Sequence, residues 1–426
     1  MKGVFTKLGS MTKRGPSADG AEPRNERTSS QTGAPLNLVE REVMKLKAAE
    51  DARKTREARL AGLKPYCLDT TIVEALSTGS ESLEDKLAVF KLLKSCRLQN
   101  IALAAFVKEK TPDLPFLQAL RSQKLIDEHC FAYTELFDAN GVDLPGQDLP
   151  FGLAKMIQFG IQNAILECDL AATYINWEKY SAEDFCALVE SRCRWVAANL
   201  YAGRAQAPAA WLNLRDFAAA MQSAPARVLS LVEHAAKMDP AYRPRGIIVS
   251  ETAAGHFPHE AAPCVASVRF VMEACGWVDG ALLVHGAAGT GLAHATVLEC
   301  LASGCSGVVA TLAEEVEPGS SSAANALLDW GNLARLGNKH VAEAFDLGAL
   351  RGAAREVAAV VERSRQAALE AAAKAAEAKA AGVDGGRGSG GSAPKLAHVE
   401  PLTSSPPKPH AHPHEAHKQP LIPGHA

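Results

Sequence analysis

The chain has 426 residues, of which 47% are hydrophobic and 22% are charged, and its formal net charge is −3. This near balance of acids and bases excludes the strong basic field typical of nucleic-acid binding, so no nucleic-acid partner is expected. No apolar run approaches the roughly 20 residues of a membrane-spanning helix, so we predict a soluble protein without a membrane span.

Residues 1–36 are rich in Gly, Ser, Thr, Pro and Arg without sustained periodicity, which predicts a disordered N-terminal tail. Met1–Ala18 contains basic residues and no acid, as the start of an organelle transit peptide does, but an ordinary basic tail fits equally well. Ten scattered cysteines without a CxxC pair are typical of reduced thiols. We therefore expect an intracellular protein and leave the choice between mitochondrial and cytoplasmic open.

Residues 37–62 combine strong helix formers with charges of both signs at helical spacing. Apolar positions are few after Leu46, which predicts a largely solvated helix lying across the following domain or against a partner.

Eight apolar segments, each followed by a helical pattern, occupy residues 65–338. The predicted strands are Tyr66–Glu74, Asn100–Val107, His129–Leu136, Ala164–Cys168, Trp211–Leu214, Ile247–Val249, Ala281–Val284 and Gly307–Ala310. Eight consecutive strand-then-helix units favour an α/β fold of the (β/α)8 TIM-barrel type over an open doubly wound sheet. The predicted architecture is thus a barrel with a helical N-terminal extension and a C-terminal helix.

That C-terminal helix is predicted over residues 341–381, which are rich in alanine. An apolar face made mostly of alanine indicates weak packing, so the helix is expected to project or to form a loose coiled coil. Residues 382–426 are rich in Gly, Pro and His and are predicted to form a disordered tail.

In a (β/α)8 barrel the reacting groups lie at the C-terminal ends of the strands. The first strand ends near Glu74, the sixth near Glu251 and the seventh at His285, and Asn325 follows the eighth. A carboxylate, an imidazole and an amide oxygen that meet at one barrel mouth are ligands for a divalent cation.

Four segments carry motifs that can be compared with known families: DTTIVEA at 69–75, SETAAGHFP at 250–258, LLVHGAAGTGLAHATVLECLASGCSGVV at 282–309 and SSAAN at 321–325. In this order they resemble a D-T-T-L-R-D-G strand, a D-T-x-G-x-x-x-P turn, an H-x-H-D-T-x-G-x-G-x-A run and a loop that ends in Gly-Asn. These are motifs of the pyruvate-carboxyltransferase-like, or DRE-TIM, metallolyases. Within the group, 3-hydroxy-3-methylglutaryl-CoA (HMG-CoA) lyase is the most similar.

The resemblance implies a Mg²⁺ or Mn²⁺ ion held by Glu74, His285 and Asn325 if the site is active. It also implies that Glu251, at the position of the family's strand-six aspartate, is a catalytic residue. The ligand implied is an acyl-CoA or a small 2-oxo acid. A homo-oligomer is left open.

Several positions depart from the family pattern. Leu283 stands where the family has a second metal-binding histidine, Val73 where it has an arginine that polarises the substrate carbonyl, and Ala102 where it has an acid. Valine offers neither the charge nor the five donors of arginine, and leucine cannot coordinate a metal. The usual lyase chemistry is therefore expected to be impaired or lost.

Three functions remain open at this stage. The chain is a non-catalytic binding or assembly module that engages a protein partner through its terminal helices, a divergent metal-dependent carbon–carbon lyase, or a sensor of an acyl-CoA or other small molecule. The site residues also have plain structural interpretations, with His285 as a buried hydrogen-bonded histidine and Asn325 as the cap of the following helix.

Overall fold

The computed structural model describes residues 38–76, 81–107, 112–136, 149–173, 175–200, 210–251, 258–313 and 323–382. Eight parallel strands close into a barrel in the order β1 to β8, which confirms the predicted (β/α)8 fold. The strands are β1 Tyr66–Asp69, β2 Ile101–Phe106, β3 Cys130–Glu135, β4 Asn163–Asp169, β5 Trp211–Arg215, β6 Gly246–Ser250, β7 Ala281–His285 and β8 Gly307–Ala310.

The helices are α1 Leu38–Gly62, α2 Thr71–Glu74, α3 Leu83–Ser95, α4 Leu114–Ser122, α5 Phe151–Phe159, α6 Ala182–Asn199, α7 Phe217–Ser223, α8 Pro225–Lys237, α9 Pro258–Ala274, α10 Ala293–Ser303, α11 Ala326–Arg335, α12 Lys339–Ala344 and α13 Leu347–Gly382. None of these helices is long and apolar enough to cross a membrane. The predicted disordered tails, residues 1–36 and 382–426, lie outside the described residues except for Gly382.

Two apolar clusters form the core because successive side chains of a strand point to opposite faces. The larger cluster lies between the strands and the surrounding helices. The smaller one, called here the inner apolar cluster, receives at least one residue from every strand and therefore fills the barrel. Its members are Leu68, Val73, Ala102, Ala105, Phe131, Tyr133, Ile165, Trp211, Ile248, Leu283 and Val309.

The prediction that the first strand runs from Tyr66 to Glu74 is wrong in its second half. The strand ends at Asp69, and Thr71–Glu74 form one helical turn. The Asp69 carboxylate accepts hydrogen bonds from the backbone N–H of Thr71 at 3.1 Å and from its hydroxyl at 3.0 Å, which favours the turn over continued pairing. The β-branched residues that suggested a strand are buried because this turn covers the barrel end.

The single alanine-faced helix predicted over residues 341–381 is also wrong in its first part. The helix is interrupted at Phe345, whose ring stacks on that of Trp330 with the ring centroids 4.8 Å apart. The side chain of Asp346 then accepts hydrogen bonds from the backbone N–H groups of Gly348 and Ala349 at the start of α13. The first four turns of α13 pack mainly through leucine and valine at helical spacing. The buried residues there are Leu350, Ala353, Val357 and Val360.

Candidate functional site

A ring of polar side chains lies directly above the inner apolar cluster at the C-terminal mouth of the barrel. Each member follows an inward-facing apolar residue by two positions, so it points into the same interior one layer higher. The ring consists of Glu135, Glu167, Asn213, Ser250 and His285. The mouth is therefore polar although the barrel below it is apolar.

Two of the three predicted metal ligands meet at this mouth. Glu74 Oε1 lies 3.1 Å from Nε2 of His285, and both side chains are nearly buried. The second oxygen of Glu74 accepts the backbone N–H of Ala323 at 2.7 Å. The turn of α2 and the end of β7 thus bring together residues more than two hundred positions apart in the sequence.

The third predicted ligand, Asn325, acts as the N-cap of α11. Its side-chain oxygen accepts the backbone N–H of Leu327 at 2.9 Å, while its amide group donates to the carbonyl of Leu312 at 3.4 Å. Asn325 therefore caps α11, as its plain structural interpretation predicts, and its role as a metal ligand stays a prediction.

Glu251, the predicted catalytic residue, connects the end of β6 to a neighbouring helix. Its carboxylate accepts the backbone N–H of Ala218 at the start of α7 at 2.7 Å. Its own N–H donates to the carbonyl of His285 at 3.3 Å, which places it beside the mouth. A carboxylate at the N-terminal end of a helix is stabilised in its charged form by the helix amides. Its catalytic role stays a prediction.

The three positions that depart from the lyase pattern are all buried in the inner apolar cluster. Val73, Ala102 and Leu283 are at most 6% exposed, and they pack with residues such as Ile248 and Val309. Hydrocarbon side chains therefore occupy all three of these positions in the barrel interior.

The divalent metal that the resemblance implies stays a prediction. No group of three or more His, Cys, Asp or Glu side chains in the described part of the chain is arranged to hold an ion. Mg²⁺ needs close to octahedral oxygen coordination. Here one carboxylate is engaged by an imidazole and a backbone amide, and the amide oxygen of Asn325 caps a helix.

Sequence reasoning missed an amide–carboxylate pair on the opposite side of the mouth. Asn213 donates from its side-chain amide to both carboxylate oxygens of Glu167, at 3.2 and 3.1 Å. The available signal was the sequence at the end of β4. There the apolar Ile165 is followed two positions later, on the same face of the strand, by the charged Glu167.

The same carboxylate lies near Tyr133. Burial raises the pKa of the Tyr133 hydroxyl well above its usual value, and the nearby negative charges of Glu74 and Glu167 raise it further.

A buried carboxyl lies behind the mouth, at the end of β1. Burial raises the pKa of Asp69 to about 7, although the two hydrogen bonds from Thr71 oppose the shift. Thr71 also accepts the N–H of Leu312 at 2.9 Å, so this carboxyl supports the closure of β1 against the loop that follows β8.

Replacing Asp69 by asparagine is expected to flatten the dependence of stability on pH. The native carboxyl keeps its proton up to about pH 7, whereas an aspartate in the unfolded chain loses it near about pH 3.9. Between these values the native state binds more protons, so the free energy of unfolding falls as pH rises. Urea unfolding at about pH 4 and about pH 8 measures this slope.

The matched control for that measurement is Asp184→Asn. Asp184 lies in the exposed capping box of α6, where the hydrogen bonds from Ser181 lower its pKa. Its contribution to stability is lost only as pH falls below about 3.9, the pKa of an unfolded aspartate, so between about pH 4 and about pH 8 the control should leave the slope nearly unchanged. An unchanged slope in the Asp69 variant would contradict the buried, protonated state.

Comparison with solved structures places this barrel among known folds. HMG-CoA lyase from Pseudomonas aeruginosa matches with a TM-score of 0.52 at 11% identity, over 71% of this chain and 94% of that chain. The chain shares the lyase fold. HMG-CoA lyase from Brucella melitensis matches with a TM-score of 0.47 at 16% identity, over 69% of this chain and 99% of that chain.

The same comparison finds the carboxyl transferase domain of Rhizobium etli pyruvate carboxylase, with a TM-score of 0.49 at 15% identity. That match covers 76% of this chain and 51% of the other. No family model and no curated protein sequence matches the chain. The match to the Pseudomonas aeruginosa lyase confirms the expected resemblance to metallolyases at the level of the fold.

Proposed function

We propose that this chain is a barrel of the HMG-CoA-lyase type that acts as a binding or assembly module and no longer cleaves carbon–carbon bonds. The observation that carries the proposal is the burial of Val73, Ala102 and Leu283 in the inner apolar cluster, directly below the pair formed by Glu74 and His285.

The energetic argument concerns charge that develops on a substrate oxygen. Removing one preorganised electrophilic group costs about 2.7–4 kcal/mol of transition-state stabilisation in enzymes. In this chain a valine stands at the position of the arginine, and a leucine at the position of one imidazole, so two such contributions are missing together. Glu74 and His285 remain, and they are held by hydrogen bonds to each other and to the backbone N–H of Ala323. A buried histidine with a purely structural role would be held in the same way.

The terminal helices are the proposed docking elements for a protein partner. Most of α1 is exposed, including its apolar residues from Leu38 to Leu46, and α13 is exposed from Arg365 to Lys374. For the barrel mouth, the lyase fold favours an acyl-CoA or a small 2-oxo acid as the class of ligand, bound without turnover as in a sensor.

A divergent carbon–carbon lyase is the second candidate, and the observation that favours it is the approach of Glu74 to His285 at 3.1 Å. That candidate requires Mg²⁺ or Mn²⁺ and further donors from outside the described residues. Glu251, beside His285, would be its acid–base group.

Metal analysis of the purified full-length protein, combined with a retro-aldol assay on HMG-CoA, separates the two candidates. The binding-module proposal expects no stoichiometric Mg²⁺ or Mn²⁺ and no cleavage above the uncatalysed rate. Stoichiometric metal that is lost in His285→Ala but kept in the control His234→Ala, together with cleavage, would overturn it. His234 is the appropriate control because it is a surface histidine that pairs with Glu190 at 2.8 Å.

A further inference from the structure

The first half of α1 carries an apolar stripe that stands open to solvent. Val39, Val43 and Leu46 are 71%, 57% and 71% exposed. With 100° of rotation per residue they lie within an arc of about 60° on one face of the helix. These three residues are called the α1 stripe.

The α1 stripe continues the face by which α1 packs on the barrel. Alternating steps of four and three residues lead from Val39 through the stripe to Glu57 and Leu60. Leu60 is only 6% exposed, and Arg59 beside it donates to the carbonyl of Leu301 in α10 at 3.1 Å. The last turns of the helix are therefore seated on the barrel, while residues 38–49 present the same face uncovered.

The charges beside the α1 stripe are self-complementary along one edge. Glu40 and Lys47 lie about 70–90° from the centre of the stripe, and the acid precedes the base. An antiparallel copy of the same helix therefore places Lys47 of each copy opposite Glu40 of the other, which gives two attractive pairs.

We propose that the α1 stripe is a docking surface for a second copy of this chain, which it meets as an antiparallel helix pair. Val43 then lies opposite Val43 of the other copy, Leu46 lies opposite its Val39, and Lys47 lies opposite its Glu40.

The size of this surface determines the strength of association. Twelve helical residues span about 18 Å, so the buried area is below the roughly 1,200–2,000 Å² of a standard interface. The pair is accordingly a weak dimer whose population depends on protein concentration. A two-fold antiparallel contact closes at two copies, because the same patch is used on both.

This inference names the partner for the assembly role proposed above and rests on that role, but its test is separate. Metal content and cleavage of HMG-CoA decide the proposed function. Association through α1 is read from molecular mass alone, so one result can fail while the other stands.

Sedimentation velocity of the full-length chain over a wide range of concentration tests the pairing. The wild type is expected to pass from monomer to dimer. Val43→Asp with Leu46→Asp is expected to raise the dissociation constant roughly a hundredfold, because charges replace the central apolar contacts. The control Met44→Asp changes a residue of similar exposure on the opposite side of the helix and should leave association unchanged. A wild type that stays monomeric throughout, or a dimer that survives the double substitution, overturns the proposal.

Disulfide trapping tests the antiparallel register. The background carries Cys264→Ser and Cys275→Ser, because the other eight cysteines are buried. A mixture of Val39→Cys and Leu46→Cys chains is expected to form a covalent heterodimer under mild oxidation, whereas neither chain alone should cross-link efficiently. Efficient cross-linking of the Val39→Cys chain with itself would indicate a parallel pair and overturn the register. No cross-linking in any combination would overturn the pairing itself.

Discussion

Substituting histidine for Leu283 is expected to lower the free energy of unfolding by about 3–5 kcal/mol without creating a metal site. Leu283 is fully buried between neighbours such as Ile248 and Val309. The substitution removes a well-packed leucine and places an imidazole where the surrounding surface is hydrocarbon. Chemical denaturation with and without added Mn²⁺ measures both parts of this prediction.

The control for this experiment is Leu328→His, which replaces an exposed leucine of α11. Its side chain is 52% exposed, so the change should stay within about 0.5 kcal/mol of the wild type. Recovery of the lost stability by Mn²⁺ in the Leu283 variant would contradict the binding-module proposal. It would mean that one imidazole was the only ligand missing from a site that Glu74 and His285 already form.

Alanine at Gly307 is expected to lower the free energy of unfolding by about 3 kcal/mol by forcing apart the strands that close the barrel. Gly307 begins β8 and is in register with Tyr66 of β1. A Cβ there would collide with the Tyr66 carbonyl oxygen and lie 2.8 Å from its carbonyl carbon. Both contacts are to backbone, so they are relieved only by moving a strand. Thermal and urea unfolding provide the measurement.

Gly331→Ala is the matched control, since it makes the same chemical change inside α11. A Cβ at Gly331 would meet no atom within 4 Å, and alanine favours a helix interior over glycine by about 0.5–1 kcal/mol. The control should therefore be slightly more stable than the wild type. Equal stability of the two variants would show that closure of the barrel tolerates a wider gap between β8 and β1.

The barrel was predictable because its signal is repeated. Eight apolar segments alternate with helical patterns, and a mistake in one segment leaves the count of strand-then-helix units unchanged. The error at Tyr66–Glu74 illustrates this. The β-branched residues there correctly indicate burial, but the hydrogen bonds from Thr71 to Asp69 turn the chain into a helix after four strand residues.

The candidate site was predictable only in part. The strand-end rule and the family resemblance together pointed to Glu74 and His285, and the structure brings these two within hydrogen-bond distance. The contact between Asn213 and Glu167 was missed because it depends on which strands are neighbours and on their register. Neither the order of the strands nor their register can be inferred from the alternation of side chains within a single strand.

By itself, the sequence determined the fold class, the helices that flank the barrel and the loss of polar groups at Val73, Ala102 and Leu283. Each of these follows from local pattern or residue type. Only the tertiary structure shows that those three residues belong to the inner apolar cluster beneath Glu74 and His285, and that Asn325 caps a helix. The reason is that pairing across the barrel joins residues far apart in the chain, and a side chain's role depends on which neighbours that pairing provides.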